Sequence, residues 1–170
     1  MTKPWTLERT LGFLPFAILV ATFDRAVVTP MLVSMGADFD VNIATITISV
    51  SVYLLAYGLA QPVWGIISDR LGRTATMRLA LVLAGIFDII SVIPMPIEAF
   101  ITARGVAGAT MAGVFPTAVI FIGDMVSDPR KRQAPMANLQ TGVALGLTLG
   151  TVLGGLGVAF VGWQAFFIAT

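Results

Sequence analysis

The chain has 170 residues, of which 57% are hydrophobic and only 11% are charged, and its formal net charge is +1. Soluble domains carry roughly a quarter charged residues, and a short water-soluble chain cannot bury this much apolar surface, so an integral membrane protein is predicted. Cysteine and histidine are absent, which excludes disulfides, thiol chemistry, Cys/His metal sites and histidine-based catalysis.

The N-terminal segment has a basic start followed by an apolar stretch, as a cleaved signal peptide would. However, no small-x-small site closes the apolar stretch. Asp24 and Arg25 stand where such a site would fall, and the apolar sequence then resumes to about Met35. We therefore predict that this segment is a retained first membrane span.

Long apolar runs predict a single bundle over residues 1–170, with five membrane-spanning helices and the start of a sixth. The predicted spans are 11–35, 43–67, 76–94, 98–122 and 134–160, and the sixth begins at Trp163. Loop-forming sequences separate them, such as "GADFDVN" after the first and "SDPRKRQ" after the fourth. Pro30, Pro62 and Pro116 lie inside spans and are predicted to kink them.

The basic residues occupy alternate connections between the spans. Eight of the ten lie before the first span, between or just beside the second and third, or between the fourth and fifth; they are Lys3, Arg9, Arg70, Arg73, Arg78, Arg130, Lys131 and Arg132. The connections after the first and third spans carry Asp38, Asp40 and Glu98 instead. By the positive-inside rule, this pattern predicts a multi-pass protein of the cytoplasmic membrane with its N-terminus in the cytoplasm.

The stretch "GIISDRLGR", residues 65–73, interrupts the apolar sequence between the second and third spans. Gly65 would let another helix approach closely, Gly72 would permit the turn, and Asp69 can cap a helix or pair with Arg73. With Arg70, this pattern resembles the signature loop of the major facilitator superfamily. The resemblance implies a cytoplasmic latch between two halves of a transporter.

Other segments share this resemblance from about Phe16 onward. "ARGVAGATMAG" is similar to a family signature carried by Arg104 and Gly108, although Ala107 replaces the glutamine common there. "GDMVSDPRKRQAPMAN" resembles the family's loop between spans four and five, and "GWQAFF" the start of its sixth span. The resemblance implies an all-α, polytopic bundle, the N-terminal six-helix half of the fold, cut off in its sixth span. A second, C-terminal bundle, in the same or another chain, is the expected partner.

Four glycines recur at every fourth position of the fifth span, where they would line one ridge of a helix: Gly142, Gly146, Gly150 and Gly154. Such a ridge permits close contact of two helix backbones. It could pack within this bundle, or form a sliding interface between the two halves. The stretch also resembles the family's antiporter signature, which is associated with export, although Thr151 replaces the usual proline.

Charged residues inside the spans are the candidate coupling or substrate residues, because a charge in the bilayer is costly unless paired or hydrated. Asp24 lies near the middle of the first span, where burial disfavours a charged carboxylate and so favours proton uptake. Arg25 points about 100° away from it around the helix. The alternative for both residues is a structural ion pair with another span.

Asp88 and Arg104 lie on either side of the Pro94–Pro96 bend, six residues before it and eight after it. At 1.5 Å per residue, each is roughly 10 Å from the turn of one helical hairpin. We therefore predict that they neutralise each other, or that Arg104 connects them to a proton cycle at Asp24.

Two further helix faces could line a substrate cavity. Tyr53, Tyr57 and Gln61 share one face of the second span, and this face suits a hydrated cavity or interhelical hydrogen bonds. Met111 and Phe115 share a face of the fourth span with Arg104. Such an apolar stripe could line a substrate path or belong to the packed core.

These features predict a secondary active transporter that exports small, partly apolar molecules by proton-coupled alternating access. Two alternatives remain open: a proton symporter for a sugar or an organic anion bound by Arg25 and Arg104, and a half-bundle partner module without transport of its own. No nucleophile–base pair, metal cluster or phosphate loop is visible, so neither an enzyme nor a cofactor is predicted. The expected partners are substrate, protons and lipid, and no nucleic acid.

Overall fold

A computed structural model describes residues 7–160 and 162–168, and α-helices account for most of them. The helices are α1 (Leu7–Asp38), α2 (Ile43–Leu71), α3 (Arg73–Val92), α4 (Ile97–Met111), α5 (Val114–Met125), α6 (Gln133–Phe160) and α7 (Trp163–Ile168). No strand occurs within these two ranges. The predicted all-α bundle is confirmed.

Five segments of the described chain are long and apolar enough to cross a membrane, when Ile97–Met125 is taken as one segment. Each of them overlaps one predicted span. Large apolar side chains project outward from α2, α3 and α6; Leu55 and Leu59 on α2 are 64% and 70% exposed. Outward-facing leucines of this kind suit a surrounding hydrocarbon phase and would be unfavourable in water.

The two ends of the bundle differ in charge. At one end, here called the basic end, α2 joins α3 and α5 joins α6 through segments that contain Arg70, Arg73 and Arg130–Arg132. The opposite, acidic end joins α1 to α2 and α3 to α4, and carries Asp38, Asp40 and Glu98. The helix directions therefore reproduce the charge alternation read from the sequence.

α6 lies parallel to α1, and the glycine ridge forms the contact. A Cβ atom at Gly142 would lie 2.4 Å from the Pro15 carbonyl oxygen, and one at Gly150 would lie 2.7 Å from that of Phe23. Gly146 and Gly154 face α1 in the same way. The ridge thus packs within this bundle, the first of the two alternatives, because only glycine lets the two backbones come this close.

α4 approaches α2 closely through a second pair of glycines. A Cβ atom at Gly108 would lie 2.4 Å from the Tyr53 carbonyl oxygen, and one at Gly105 would lie 2.8 Å from a methyl group of Val52. This contact brings the preceding residue, Arg104, against α2.

The predicted fourth span is interrupted at Ala112 and Gly113, between α4 and α5. Pro116 has no N–H to donate to the carbonyl of Ala112, so the regular hydrogen-bond ladder cannot continue through this point. Trp64 of α2 packs beside the interruption, and its Nε1 donates to the carbonyl oxygen of Ala109 at 2.7 Å. α1 and α2, by contrast, continue through Pro30 and Pro62.

At the acidic end, the short helix α7 is tied to the end of α1. Trp163 Nε1 and Gln164 Nε2 both donate to Asp38 Oδ2, at 2.7 and 2.8 Å. Below them, Trp163 and Phe167 join an apolar cluster with Val27, Met31 and Phe100. α7 therefore packs against α3 and α6 as well as α1.

Candidate functional site

Arg104 is the centre of a buried charged cluster. Its side chain is 2% exposed, and its Nη1 lies 2.5 Å from Asp88 Oδ1 on α3 and 3.5 Å from Asp24 Oδ1 on α1. The Asp88–Arg104 pair expected from the hairpin geometry therefore forms, and Asp24 joins it as a second carboxylate.

Tyr53 of α2 completes this charged cluster, which comprises Asp24, Tyr53, Asp88 and Arg104. The Tyr53 hydroxyl donates to Asp24 Oδ2 at 2.8 Å. The Arg104 guanidinium carbon lies 4.7 Å from the centre of the Tyr53 ring. At this distance the positive charge of Arg104 is attracted to the face of the ring. Four helices thus contribute one residue each, and the α2–α4 glycine contact sets the distance between Tyr53 and Arg104.

The charged cluster holds two carboxyl groups and one guanidinium. With both carboxyls ionised, it would carry one excess negative charge in a buried position, which is costly. The two carboxyls also interact with each other, and like charges disfavour joint ionisation. One bound proton would make the cluster neutral, so the arrangement is suited to proton binding.

Arg25 lies outside this cluster and borders a separate cavity of about 170 Å³ between α1, α2, α5 and α6. Among the side chains that the structure describes, it has no ion pair and no hydrogen bond. Six of the residues that line the cavity are Thr22, Arg25, Tyr57, Phe115, Gln140 and Val143.

The predicted cavity residues divide into two groups. Tyr57 and Phe115 line the cavity beside Arg25, and Gln61 lies one turn further along α2. Tyr53 belongs instead to the charged cluster, and Met111 is 3% exposed within the apolar core. Of the two possibilities for Met111, a substrate path or the packed core, the structure shows the packed core.

The signature loop at the basic end is held by Arg73. Its Nη1 lies 2.6 Å from Asp69 Oδ1, and its Nε lies 2.9 Å from Asp124 Oδ2 at the end of α5. Gly72 adopts a φ of +84°, which glycine accepts without strain. Arg70 is exposed beside this network.

Gly65 lies on a part of α2 that no other described helix covers closely. No described atom outside its own helix lies within 4 Å of a Cβ built at this position, so no helix of the described bundle approaches closely there. The turn expected at Gly72 is present, whereas the close approach expected at Gly65 is not made by a helix of the described bundle.

Three contacts of this region were not anticipated from the sequence. They are the bond from Tyr53 to Asp24, the pair of Arg73 with Asp124, and Arg132, which donates to the carbonyl oxygens of Gly123 and Val126 at the end of α5. The first two join side chains on different helices, and Arg132 bonds from the connection before α6 back to the end of α5. For Asp124 and Arg132, the sequence offered one signal, the acidic-then-basic pattern after the fourth span.

Within the described residues, no group of three or more His, Cys, Asp or Glu side chains is placed to hold a metal ion.

Comparison with known proteins assigns the fold to a family. The family model of the Major Facilitator Superfamily matches residues 14–170. The chain belongs to the major facilitator superfamily. The resemblance seen in residues 65–73 and in the following segments is thereby confirmed, and this major facilitator chain is a multi-pass integral membrane protein.

Relatives of this major facilitator chain include proteins named as efflux pumps and antiporters. It is 30% identical over 151 residues to the efflux pump dotC of Dothistroma septosporum, covering 89% of this chain and 26% of the pump. It is 29% identical over 150 residues to the MFS antiporter QDR3 of Candida albicans, covering 88% and 21%. A triacylglyceride transporter of Mycobacteroides abscessus is 29% identical over 162 residues, covering 92% and 31%. The chain spans a fifth to a third of these relatives' lengths.

Proposed function

We propose that this chain forms one bundle of a secondary active transporter that exports small, partly apolar molecules in exchange for protons. The observation that carries the proposal is the charge imbalance of the buried charged cluster, in which two carboxyls share one guanidinium. The names of the relatives dotC and QDR3 support export as the direction of transport, since these proteins are described as an efflux pump and an antiporter.

Asp24 is the proposed proton carrier. Asp88 lies 2.5 Å from the Arg104 guanidinium, whereas Asp24 lies 3.5 Å from it, so protonating Asp24 sacrifices the weaker of the two attractions. Loss of this proton strengthens the attraction of Asp24 to Arg104, and uptake of a proton by Asp24 weakens that attraction. That change in attraction between α1 and α4 is the proposed link between the proton and a rocking motion of the bundle against a second one.

An Asp24→Asn variant tests this role. The amide preserves the size of the side chain but cannot exchange a proton, so we expect substrate-driven proton movement to be lost while substrate binding persists. Proton flux is measured in inverted vesicles that contain the full-length transporter carrying this chain, challenged with a panel of fluorescent amphipathic compounds.

Asp40→Asn is the matched control, because Asp40 is exposed at the acidic end and its φ of +52° is one that asparagine tolerates. This control should keep full proton flux. Unchanged flux in Asp24→Asn would remove Asp24 from the mechanism.

We further propose that the basic end faces the cytoplasm, in the cytoplasmic membrane. Since the chain has no cysteine, Glu98→Cys and Ser127→Cys each introduce a single thiol, at the acidic and the basic end respectively. Both positions are exposed. On intact cells, an impermeant maleimide should label residue 98 directly and residue 127 only after permeabilisation; the reverse pattern would invert the proposed topology.

Uptake of an organic anion by proton symport is the second candidate function. The observation that favours it is Arg25, a cation inside a span that borders a cavity. The vesicle assay separates the two directions, because an acidic vesicle interior drives accumulation of the substrate of a proton-exchanging exporter. A symporter would instead move substrate and protons in the same direction.

A further inference from the structure

The cavity beside Arg25 is separate from the charged cluster and is lined by different side chains. It lies between α1, α2, α5 and α6, with Arg25 and Thr22 on α1, Tyr57 on α2 and Gln140 on α6. Its volume of about 170 Å³ would accommodate the polar end of a small ligand.

The positive charge of Arg25 lacks a counter-charge in the described bundle. A charged side chain in the middle of a span is costly unless it is paired or hydrated, and Arg104 satisfies this requirement with two carboxylates. Arg25 has no ion pair within 4 Å among the described side chains. Its sequence neighbour Asp24 points to another side of α1, where it bonds to Tyr53.

The remaining lining of the cavity complements an anion attached to an apolar body. Tyr57 and Gln140 offer hydroxyl and amide donors, and none of the residues that line the cavity is acidic. Phe115, Ile18 and Val143 supply an apolar wall next to these donors. A guanidinium with neighbouring donors recognises a carboxylate well, and the Phe115 ring suits an aromatic group.

We propose that this cavity binds the acidic group of an amphipathic organic anion, with an aromatic carboxylate as the representative ligand class. Arg25 holds the carboxylate, Tyr57 and Gln140 add hydrogen bonds, and Phe115 contacts the apolar part. The proposal rests on the proposed transport function, because it assigns a substrate class to the same bundle. It does not depend on the direction of transport.

Equilibrium binding of 2-naphthoate to the purified full-length transporter tests the proposal. Its neutral analogue 2-naphthamide and its cationic analogue 2-naphthylmethylamine have similar apolar surfaces and serve as probes of charge. We expect saturable binding of naphthoate that is stronger than binding of either analogue. Loss of one charge-assisted hydrogen-bonded contact should weaken naphthoate binding by about tenfold or more in Arg25→Gln, and Arg25→Lys should recover part of that loss.

Two controls distinguish a binding role from a structural one. Arg130→Gln removes the same charge from the exposed loop at the basic end and should leave naphthoate binding unchanged. In Arg25→Cys, which would hold the only thiol of this chain, a methanethiosulfonate bearing an ammonium group should restore binding, whereas one bearing a sulfonate should not. Such charge-dependent rescue requires a folded protein.

The proposal is overturned if naphthoate fails to bind saturably, if naphthamide binds equally well, or if Arg25→Gln leaves the naphthoate affinity unchanged. These outcomes are independent of the proton assay. Loss of naphthoate binding in Arg25→Gln without any substrate-driven proton flux would support the anion site and contradict proton exchange. Proton flux that requires Asp24, together with naphthoate binding that does not depend on residue 25, would support proton exchange and contradict the anion site.

Discussion

Replacing Asp88 by arginine is expected to prevent the accumulation of folded protein. The variant would place a second guanidinium against Arg104, which lies 2.5 Å from the native carboxylate and is 2% exposed. Breaking a buried ion pair is destabilising by about 3–5 kcal/mol, and a like charge adds repulsion. The yield of monodisperse protein in detergent and the midpoint of thermal unfolding measure the effect.

The double exchange Asp88→Arg with Arg104→Asp should recover part of that loss. It restores one opposite-charge contact between α3 and α4, and an arginine at position 88 can also reach Asp24, with which Asp88 already interacts. Recovery should remain incomplete because the Tyr53 ring, which stacks on Arg104, would lose its cation. An exposed reversal, Asp128→Arg, controls for the change of net charge. A double variant as defective as Asp88→Arg alone would show that this pair does not hold the two helices.

Adding one methyl group to the glycine ridge should separate α1 from α6. In Gly146→Ala, the new Cβ would lie 2.5 Å from the Leu19 carbonyl oxygen and 2.8 Å from Thr22 Cβ. The clash is with backbone, which cannot rotate away as a flexible side chain would, so we expect destabilisation of about 1–3 kcal/mol from overpacking. Thermal unfolding of the purified protein, followed by circular dichroism, gives the comparison.

Gly155→Ala is the matched control on the same helix. Its nearest neighbour would be Pro30 Cβ at 3.9 Å, an ordinary contact distance, and alanine favours a helix over glycine by up to about 1 kcal/mol. This variant should therefore unfold at the same temperature as the native protein or above it. Equal destabilisation by the two alanines would mean that the ridge does not pack on α1.

The membrane character of the chain and the course of its helices could be predicted from the sequence because both depend on local composition. A run of apolar residues is sufficient to specify a span, so helices occupy nearly all of each predicted span in the described structure, with the fourth divided between α4 and α5. The Asp88–Arg104 pair was predictable for a related reason. Two helices joined by a short bend must run antiparallel, and counting residues from Pro94 and Pro96 places both side chains at the same depth.

The interruption of the fourth span shows where local rules became insufficient. Pro116 indicated a kink, but the position of the break at Ala112 and Gly113 also involves Trp64, which packs there and bonds to Ala109 from another helix. The period of an α-helix predicts which residues share a face. It does not state which neighbour covers that face.

The sequence by itself therefore determined the spans, their alternating direction and the family to which the chain belongs. Only the tertiary structure decided that the glycine ridge packs on α1, that no described atom lies within 4 Å of a Cβ at Gly65, and that Tyr53 binds Asp24 while Tyr57 borders the Arg25 cavity. Periodicity and charge counts act within one helix or one connection. These contacts join residues tens of positions apart, and they depend on the rotation of each helix about its own axis, which is set when all the helices pack together.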